Sequence, residues 1–318
     1  MPTIAVVGEV VADAVLPPDG IVDGAAHLTV HPGGGPANTA VALSRLGTTA
    51  RFAGRLSGGA LGALCRAKLE QSLVDLSASE SATEPATLAI ARLDATGAAS
   101  YEFYTEGTAD WAWTDASLAP LIDGPFPAGS APVAIHTGTL ALALQPSGQV
   151  IEKLLARARP SMTVSIDPNL RTLLVPVSSY RLWIDRWAGL ADIVRLSEDD
   201  LVQLWPEWTP EQAAVHLHAC GVPLAVVSLG GAGAFASLRG EQVTVPIAPT
   251  TLVDTVGAGD SFHGGLLHYL AEAGYLGGRL GSLTVDGLTA ALTYASRVAA
   301  ITCSRAGANP PWATELTG

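Results

Sequence analysis

The chemistry that this sequence offers is concentrated in the run DTVGAGD at positions 254 to 260. Gly257, Ala258 and Gly259 have no bulky side chains, so their backbone N–H groups can approach an anion closely. The apolar residues that follow repeat at helical spacing, which places the anion at the positive end of a helix dipole. Asp260 comes directly after this cradle, where a carboxylate can take the proton of a hydroxyl that attacks a phosphoryl group. The run therefore predicts phosphoryl transfer, with Asp260 as the general base.

The same loop has a simpler interpretation as a turn in which Asp260 caps a helix, because Asp is favoured at helix N-termini. A short glycine-rich turn does not by itself decide between the two. Its surroundings favour the chemical interpretation, since Asp254 lies upstream as a second acid that flanks the loop.

Two longer segments resemble the signatures of one enzyme family. Residues 254–265, DTVGAGDSFHGG, resemble the C-terminal signature of the ribokinase-like carbohydrate kinases, often called the pfkB family, and residues 32–47, PGGGPANTAVALSRLG, resemble its N-terminal signature. Shorter segments extend the resemblance along most of the chain, namely IAVVGEVVAD at 4–13, SIDPNLR at 165–171, RLSEDDL at 195–201, VVSLGGAGAF at 226–235 and TCSRAGANPP at 302–311. The resemblance implies an ATP-dependent sugar kinase that phosphorylates a primary hydroxyl.

Strand-like apolar runs alternate with helix-length segments, and this alternation predicts a mostly parallel sheet covered by helices. The runs lie at 4–7, 133–136, 163–166, 193–196 and 224–228. Residues 87–104 predict instead two strands joined by a turn at 95–97. The resemblance implies one domain over residues 1–318, a ribokinase-like three-layer αβα sandwich. It also implies a small β-sheet lid from about 12–32 and 85–110, whose closure excludes water.

The composition of the chain limits the classes of molecule that it is expected to bind. The 318 residues are 48% hydrophobic and 14% charged, with a net charge of −12, which disfavours nonspecific binding to nucleic acid or to an anionic membrane. The two Lys lie outside any Walker-type loop, which argues against a P-loop kinase. The N-terminus has no signal-peptide pattern and no apolar run is long enough to span a membrane, so we expect a cytoplasmic protein. The three Cys are widely spaced and predict reduced thiols rather than a disulfide framework or a zinc site.

The resemblance implies a sugar site built from five residues. Asp13 follows the first strand and is similar to the family aspartate that accepts hydrogen bonds from two sugar hydroxyls. Gly34 and Gly35 let the backbone approach the sugar, and Asn38 can both donate and accept. Arg171 is the candidate partner for a substrate anion or the transferred phosphoryl group. A helix N-cap at Asn38 and a surface salt bridge at Arg171 remain the structural alternatives.

The nucleotide site is implied by two segments. Ser228, Gly230 and Gly233 match the family pattern in which a hydroxyl and two glycines approach the ATP phosphates and ribose. A plain hairpin turn would use the same glycines. Asn309 corresponds to a family position that lines the adenine pocket.

Mg²⁺ is expected with ATP, because basic side chains are scarce and the phosphate charge must be balanced during transfer. The family's Asn-x-x-Glu run, which positions this metal through water, is replaced here by residues 197–200, SEDD. Asp200 stands in for the Glu as a candidate magnesium residue. The same run also fits an acidic first helical turn capped by Ser197.

A potassium ion beside the cradle is also implied by the resemblance. Its ligands would be the Asp254 carboxylate and backbone carbonyls near Val256, Arg305 and Gly307. These residues flank the glycine cradle and the C-terminal RAGANPP run.

The choice of sugar rests on the branch of the family. FYTEGTADW at 103–111 and HTGTLAL at 136–142 resemble the fructokinase branch, so fructose is the predicted acceptor. SGGALG at 57–62 departs from the acidic residues that relatives carry, which leaves acceptor or lid contacts open. The alternatives are a 2-keto-3-deoxygluconate kinase, a ribokinase or nucleoside kinase, and a noncatalytic sugar- or nucleotide-binding regulator. A homodimer through the lid is compatible with each.

Overall fold

The structure, a computed structural model, describes residues 1–94 and 99–316. Its strands, in chain order, are β1 Thr3–Val7, β2 Val11–Leu16, β3 Ile21–Val22, β4 Ala25–Ala26, β5 Thr29–Gly33, β6 Thr49–Ala53, β7 Arg55–Ser57, β8 Glu80–Ala82, β9 Thr87–Leu93, β10 Ala99–Tyr104, β11 Pro132–Gly138, β12 Thr163–Asp167, β13 Ile193–Ser197, β14 Leu224–Ser228, β15 Ala234–Leu238 and β16 Glu241–Val245.

Its helices are α1 Gly35–Leu46, α2 Ala60–Gln71, α3 Asp115–Leu118, α4 Pro120–Asp123, α5 Thr139–Ala143, α6 Ser147–Ala158, α7 Val177–Leu190, α8 Glu198–Leu204, α9 Pro210–Ala219, α10 Ala258–Glu272 and α11 Val285–Cys303. Short 3₁₀ helices lie at Ala109–Trp111, Gly230–Ala232 and Ala313–Glu315. Within the described residues, no helix is long and apolar enough to cross a membrane.

The main sheet has eight strands in the order β16-β15-β14-β13-β12-β11-β1-β6 among the described residues. The six strands from β14 to β6 pair in parallel, whereas β15 and β16 continue the sheet as an antiparallel edge. All five strand-like runs found in the sequence lie in this sheet. Their near-continuous apolar character fits strands that are covered on both faces.

Helices cover both faces of the main sheet. Ile4 and Val6 of β1 pack with helices α1, α10 and α11, whereas Ala5 and Val7 of the same strand pack with α6, α7, α8 and α9 on the other face. This alternation is the two-residue period of a β-strand. The predicted αβα sandwich with a mostly parallel sheet is thus confirmed.

A separate small sheet forms the predicted lid, with the strand order β10-β9-β2-β5. Strands β9 and β10 are the hairpin expected over residues 87–104, and they pair antiparallel from Leu93 with Ala99 to Leu88 with Tyr104. The predicted turn at 95–97 lies outside the described residues.

The base of the lid is fastened by a buried carboxylate. Asp110 Oδ1 accepts a hydrogen bond from the backbone N–H of Val10 at 2.8 Å, and its Oδ2 accepts one from Thr87 Oγ1 at 2.6 Å. Val10 directly precedes β2 and Thr87 begins β9, so one side chain holds the roots of both lid strands.

Candidate active site

The glycine cradle forms the N-terminus of α10. Gly257 is the N-cap residue with a left-handed φ of 72°, and a Cβ built there would lie 2.5 Å from the Ala308 Cβ. Only glycine satisfies both constraints. Asp260 lies in the first turn, and the cap carries no side-chain hydrogen bond. The interpretation of Asp260 as a helix cap is therefore wrong, and the amides of Gly257, Ala258 and Gly259 lie where the helix dipole is positive.

Asp260 is buried and is held by α1. Its Oδ2 accepts a hydrogen bond from Asn38 Nδ2 at 2.8 Å, and its backbone carbonyl accepts one from Thr39 Oγ1 at 3.4 Å. Burial raises the pKa of Asp260 to about 6, against the opposing effect of the Asn38 hydrogen bond. Asn38 lies inside α1, whose N-cap is Gly34, so the capping alternative for Asn38 is also wrong. Asn38 instead orients the predicted base.

Three polar side chains converge on Gly35, the first residue of α1. A Cβ built on Gly35 would lie 2.5 Å from Thr139 Oγ1, 3.5 Å from Asp260 Oδ1 and 3.6 Å from Asn169 Nδ2. Thr139 and Asn169 both have left-handed backbones, with φ of 52° and 39°. Such strain is concentrated at functional sites, and for a β-branched residue it is exceptional. The missing Cβ of Gly35 leaves these polar atoms facing one small space.

Asp13 lies on lid strand β2, opposite His31 of β5. A Cβ on Gly33 would lie 1.9 Å from Asp13 Oδ2, and one on Gly34 would lie 2.5 Å from the Glu9 carbonyl oxygen. Burial raises the pKa of Asp13 to about 6, while the charge of Arg171 opposes this rise. Gly33, which was not among the predicted residues, thus provides the space for the Asp13 carboxylate, whereas the predicted Gly34 lies against the backbone of Glu9.

Arg171 lies among the acids of the site. Its charge lowers the pKa of Asp13 and of Asp260, in each case against the larger effect of burial. Its Nη1 donates to Asn169 Oδ1 at 2.6 Å and to the carbonyl oxygens of Asn169 and Leu170 at 3.3 and 3.1 Å. The side chain is therefore oriented by its own loop, and the salt bridges found among the described residues do not include it.

Arg195 is a buried cation packed against the cradle. A Cβ built on Gly259 would lie 2.8 Å from its Nη2 and 2.9 Å from its Nη1. Arg195 Nη1 forms an ion pair with Asp167 Oδ2 at 2.9 Å, and its Nη2 donates to Ser228 Oγ. Burial alone would raise the pKa of Asp167, but the Arg195 charge holds this pKa well below its usual range. A fixed positive charge thus lies directly against the anion-binding amides.

The predicted nucleotide residues lie in two places. Ser228 ends β14, where its hydroxyl accepts the Arg195 hydrogen bond. Gly230 and Gly233 have φ of 51° and 98°, and a Cβ on Gly233 would lie 2.1 Å from the Val245 carbonyl oxygen. Asn309 Oδ1 accepts a hydrogen bond from Arg45 Nη1 at 2.7 Å, so it is tied to the last turn of α1.

The predicted monovalent-cation residues come together around Asp254. Its Oδ1 accepts from the N–H of Val256 at 3.0 Å and its Oδ2 accepts from the N–H of Gly307 at 2.7 Å. The Arg305 side chain is paired with Glu315. The carboxylate therefore joins the loop before the cradle to the segment after α11.

Asp200 is buried and serves as a helix cap. Its Oδ2 accepts from the Ser197 N–H at 2.9 Å and from Ser197 Oγ at 2.6 Å, and its Oδ1 accepts from the Leu170 N–H at 2.8 Å. The capping interpretation of this run is confirmed, because Ser197 and Asp200 form a reciprocal capping box at α8.

Comparison with known proteins decides the family. The model of the pfkB family carbohydrate kinases matches residues 1–315. The chain belongs to this family. Its sequence is 36% identical to a fructokinase of Rhizobium leguminosarum bv. trifolii over 236 residues, 74% of this chain and 70% of that relative. It is 34% identical to a fructokinase of Klebsiella pneumoniae over 269 residues, 83% of this chain and 84% of that relative.

The structural comparison agrees. The fructokinase of Vibrio cholerae O395, solved with fructose, ADP and a calcium ion, has a TM-score of 0.79 at 28% identity, with 97% of this chain and 94% of that chain covered. A double mutant of the same enzyme, solved with fructose, ADP and potassium, has a TM-score of 0.80 at 28% identity and the same coverage. The predictions of family, fold and enzyme class are confirmed: the chain is an ATP-dependent sugar kinase.

Three residues of this pfkB site were not found from the sequence as site residues. Thr139 and Asn169 lie in the quoted runs HTGTLAL and SIDPNLR, but nothing in their type announces a left-handed backbone. Arg195 precedes the acidic run at 197–200 and resembles an ordinary strand charge. Its signal is an Arg at the centre of an otherwise apolar strand, IVRLS, which is seldom tolerated without a buried partner.

The raised pKa of Asp260 predicts how turnover depends on pH. A general base must be ionised, so kcat should be constant above the pKa of about 6 and fall about tenfold per pH unit below it. Steady-state rates between pH 5 and pH 8 at saturating substrates test this expectation. The residual turnover of Asp260→Asn is the control, because it should be flat over that range once the titration of ATP is accounted for. An unchanged wild-type kcat at pH 5 would contradict the assignment.

The contact between Arg195 and Gly259 predicts a role beyond folding. Arg195→Met should lower kcat by about a hundredfold, as loss of a group that stabilises transition-state charge does. It also leaves the buried Asp167 without its guanidinium partner, which costs about 3–5 kcal/mol of stability. The matched control is Arg195→Met with Asp167→Asn, which should regain thermal stability but not kcat. Recovery of near-normal kcat in that double variant would reduce Arg195 to a structural residue.

Proposed function

We propose that this pfkB kinase phosphorylates a primary hydroxyl of fructose. The supporting observation is the space beside Gly35, where Asp260 Oδ1, Thr139 Oγ1 and Asn169 Nδ2 converge next to the glycine cradle. A hydroxyl placed there meets a base and an anion-binding helix terminus at once. The relatives named fructokinase support fructose as the acceptor. We propose that residues 1–318 act as one kinase domain with lid segments near 12–32 and 85–110.

In this proposal different residues of the chain bind the sugar, accept the proton and stabilise the phosphoryl charge. Asp13 accepts hydrogen bonds from sugar hydroxyls, while Gly34 and Gly35 allow close approach of the backbone. Asn38 holds Asp260, which accepts the proton of the attacking hydroxyl. The amides at 257–259, with Arg195 against them, stabilise the charge on the transferred phosphoryl group. Arg171 provides a second positive charge beside the acceptor.

The nucleotide would lie across the ends of β14 and α10. Ser228, Gly230 and Gly233 offer a turn without bulky side chains. The turn is tightly packed at Gly233, where an added Cβ would lie 2.1 Å from the Val245 carbonyl oxygen. Asn309 would border the adenine through its loop, because its side-chain oxygen is occupied by Arg45.

Magnesium would enter with ATP and would supply positive charge that balances the phosphate groups. Asp200 already accepts three hydrogen bonds, and a carboxylate has about four acceptor positions. It therefore fits an indirect role, accepting one hydrogen bond from a metal-bound water, rather than direct coordination.

The assembly and location follow from the surface. We propose a homodimer through the lid, because Tyr101 and Tyr104 on the outer strand β10 are 51% and 53% exposed. Tyrosine is enriched at protein interfaces. We propose a cytoplasmic location and small-molecule partners, since the charge of −12 does not suit nucleic acid or anionic membranes.

A sugar-acid kinase is the second candidate, and Arg171 is the residue that favours it. Its charge acts on both Asp13 and Asp260, so a carboxylate on the acceptor would find a cation nearby. No described residue of the site gives comparable support to ribose, a nucleoside or a noncatalytic binding role.

The deciding experiment is ATP-to-ADP turnover by the purified chain with Mg²⁺ and K⁺ across fructose, 2-keto-3-deoxygluconate, ribose and a nucleoside. Fructose should give the highest kcat/KM, and Asp260→Asn should lower kcat by about a hundredfold or more while sugar binding persists. The exposed acid Asp286 supplies the matched control, because Asp286→Asn should leave kcat unchanged. Faster turnover of the sugar acid, abolished by Arg171→Gln, would select the second candidate.

Potassium should raise turnover relative to sodium and to a bulky organic cation. The proposed ligands are the Asp254 carboxylate and carbonyls near Val256, Arg305 and Gly307, beside the cradle. A bound cation there would add positive charge near the phosphoryl group. Initial rates with each cation at equal ionic strength measure the effect, and Asp254→Asn should remove it. Equal rates in all three cations would eliminate the ion from the proposal.

A further inference from the structure

A side-chain cluster outside the sugar and nucleotide sites combines three metal-ligating groups. Asp185 lies on α7, His216 lies on α9 and Cys220 directly follows α9. Their carboxylate, imidazole and thiol atoms all lie within 4.8 Å of one another. The wide spacing of the cysteines predicted no zinc site, but the fold brings Cys220 beside a histidine and a carboxylate.

The distances within the cluster suit a small tetrahedral ion. His216 Nε2 lies 2.7 Å from Asp185 Oδ1, and Cys220 Sγ lies 3.9 Å from His216 Nε2. Zinc bonds of about 2.0–2.3 Å in tetrahedral geometry separate such ligand atoms by about 3.3–3.7 Å. The observed separations lie on either side of this range. Bringing these two separations into the range requires side-chain shifts of roughly half an ångström.

The imidazole is already held in a ligating orientation. His216 and Cys220 are four residues apart and so share one face of the helix. The rings of Trp205 and Trp208 stack at 4.7 Å, and the imidazole packs against them edge-on at 5.3 and 5.2 Å. This packing fixes the ring while Nε2 faces Asp185. A ligand oriented by its surroundings loses little freedom when it binds a metal.

A cation can reach the cluster from solvent. The Asp185 side chain is 59% exposed and that of His216 is 30% exposed, so an ion can enter from solvent.

We propose that Asp185, His216 and Cys220 bind one zinc ion, with water at the fourth position. The set of oxygen, nitrogen and sulfur donors is that of zinc, whereas Mg²⁺ and Ca²⁺ take oxygen ligands. Both helices pack on the same face of the main sheet. The ion therefore links α7 to α9 and stabilises this helical layer.

Cobalt(II) is the probe that tests the site, because its absorption reports both a thiolate ligand and tetrahedral geometry. The metal-free full chain, titrated with Co²⁺, should show a thiolate-to-cobalt charge-transfer band and intense visible bands that saturate at one equivalent and disappear when Zn²⁺ is added. Cys220→Ser should lose the charge-transfer band. Asp185→Asn should weaken Co²⁺ binding by about tenfold or more. Cys303→Ser is the matched control and should keep the full spectrum.

Thermal unfolding provides the second measurement. Zn²⁺ should raise the Tm of the wild-type chain and of Cys303→Ser, but not that of Cys220→Ser, since an ion that binds the native state stabilises it. If Cys220→Ser does not fold, Asp185→Asn decides, because this exposed side chain can change without disturbing the core. No saturable binding at one equivalent, or a thiolate band that survives in Cys220→Ser, would overturn the proposal.

Discussion

The site holds several negative charges close together, and most of its structure supplies the positive charge that offsets their repulsion. The chain carries a net charge of −12, and three of its acids, Asp13, Asp167 and Asp260, lie in the candidate active site. Burial makes their charges more costly and raises the pKa of two of them to about 6. The opposing positive charge comes from oriented amides at the α10 terminus and from Arg171 and Arg195. Fixed dipoles and a buried cation cannot move away when the phosphoryl charge changes.

The parallel sheet brings these groups together. Carboxyl ends of neighbouring parallel strands meet at one edge, where ligands bind in such folds. Gly138 at the end of β11 precedes Thr139, Asp167 ends β12 and Ser228 ends β14. The antiparallel turn to β15 then presents Gly230 and Gly233 at the same edge. Residues separated by more than a hundred positions therefore form one site without any long-range sequence signal.

The features of the fold and of the candidate site that the sequence predicts are those that depend on local residue patterns. The sheet, the hairpin of the lid and the Asp260 cradle were predictable, because apolar periodicity and glycine placement are local. The capping role of Asn38 was a wrong alternative, since Gly34 is the N-cap of α1 and Asn38 inside the helix holds Asp260. The strained backbones of Thr139 and Asn169 and the partners of Arg195 arise only from tertiary packing. The cluster of Asp185 with His216 likewise depends on how two helices meet.

The position of Asp13 links sugar binding to the lid. Asp13 belongs to β2 of the lid sheet, whereas Asp260 and the cradle belong to α10 of the main body. Asp110 fastens the roots of β2 and β9, so the two strands are held together at their base. A sugar that contacts Asp13 and Asp260 together must favour the arrangement in which lid and body lie closest, because it gains both contacts only there. In the proposed function, acceptor binding would then remove water from the buried Asp260 before phosphoryl transfer, which is the order that limits wasteful hydrolysis of ATP.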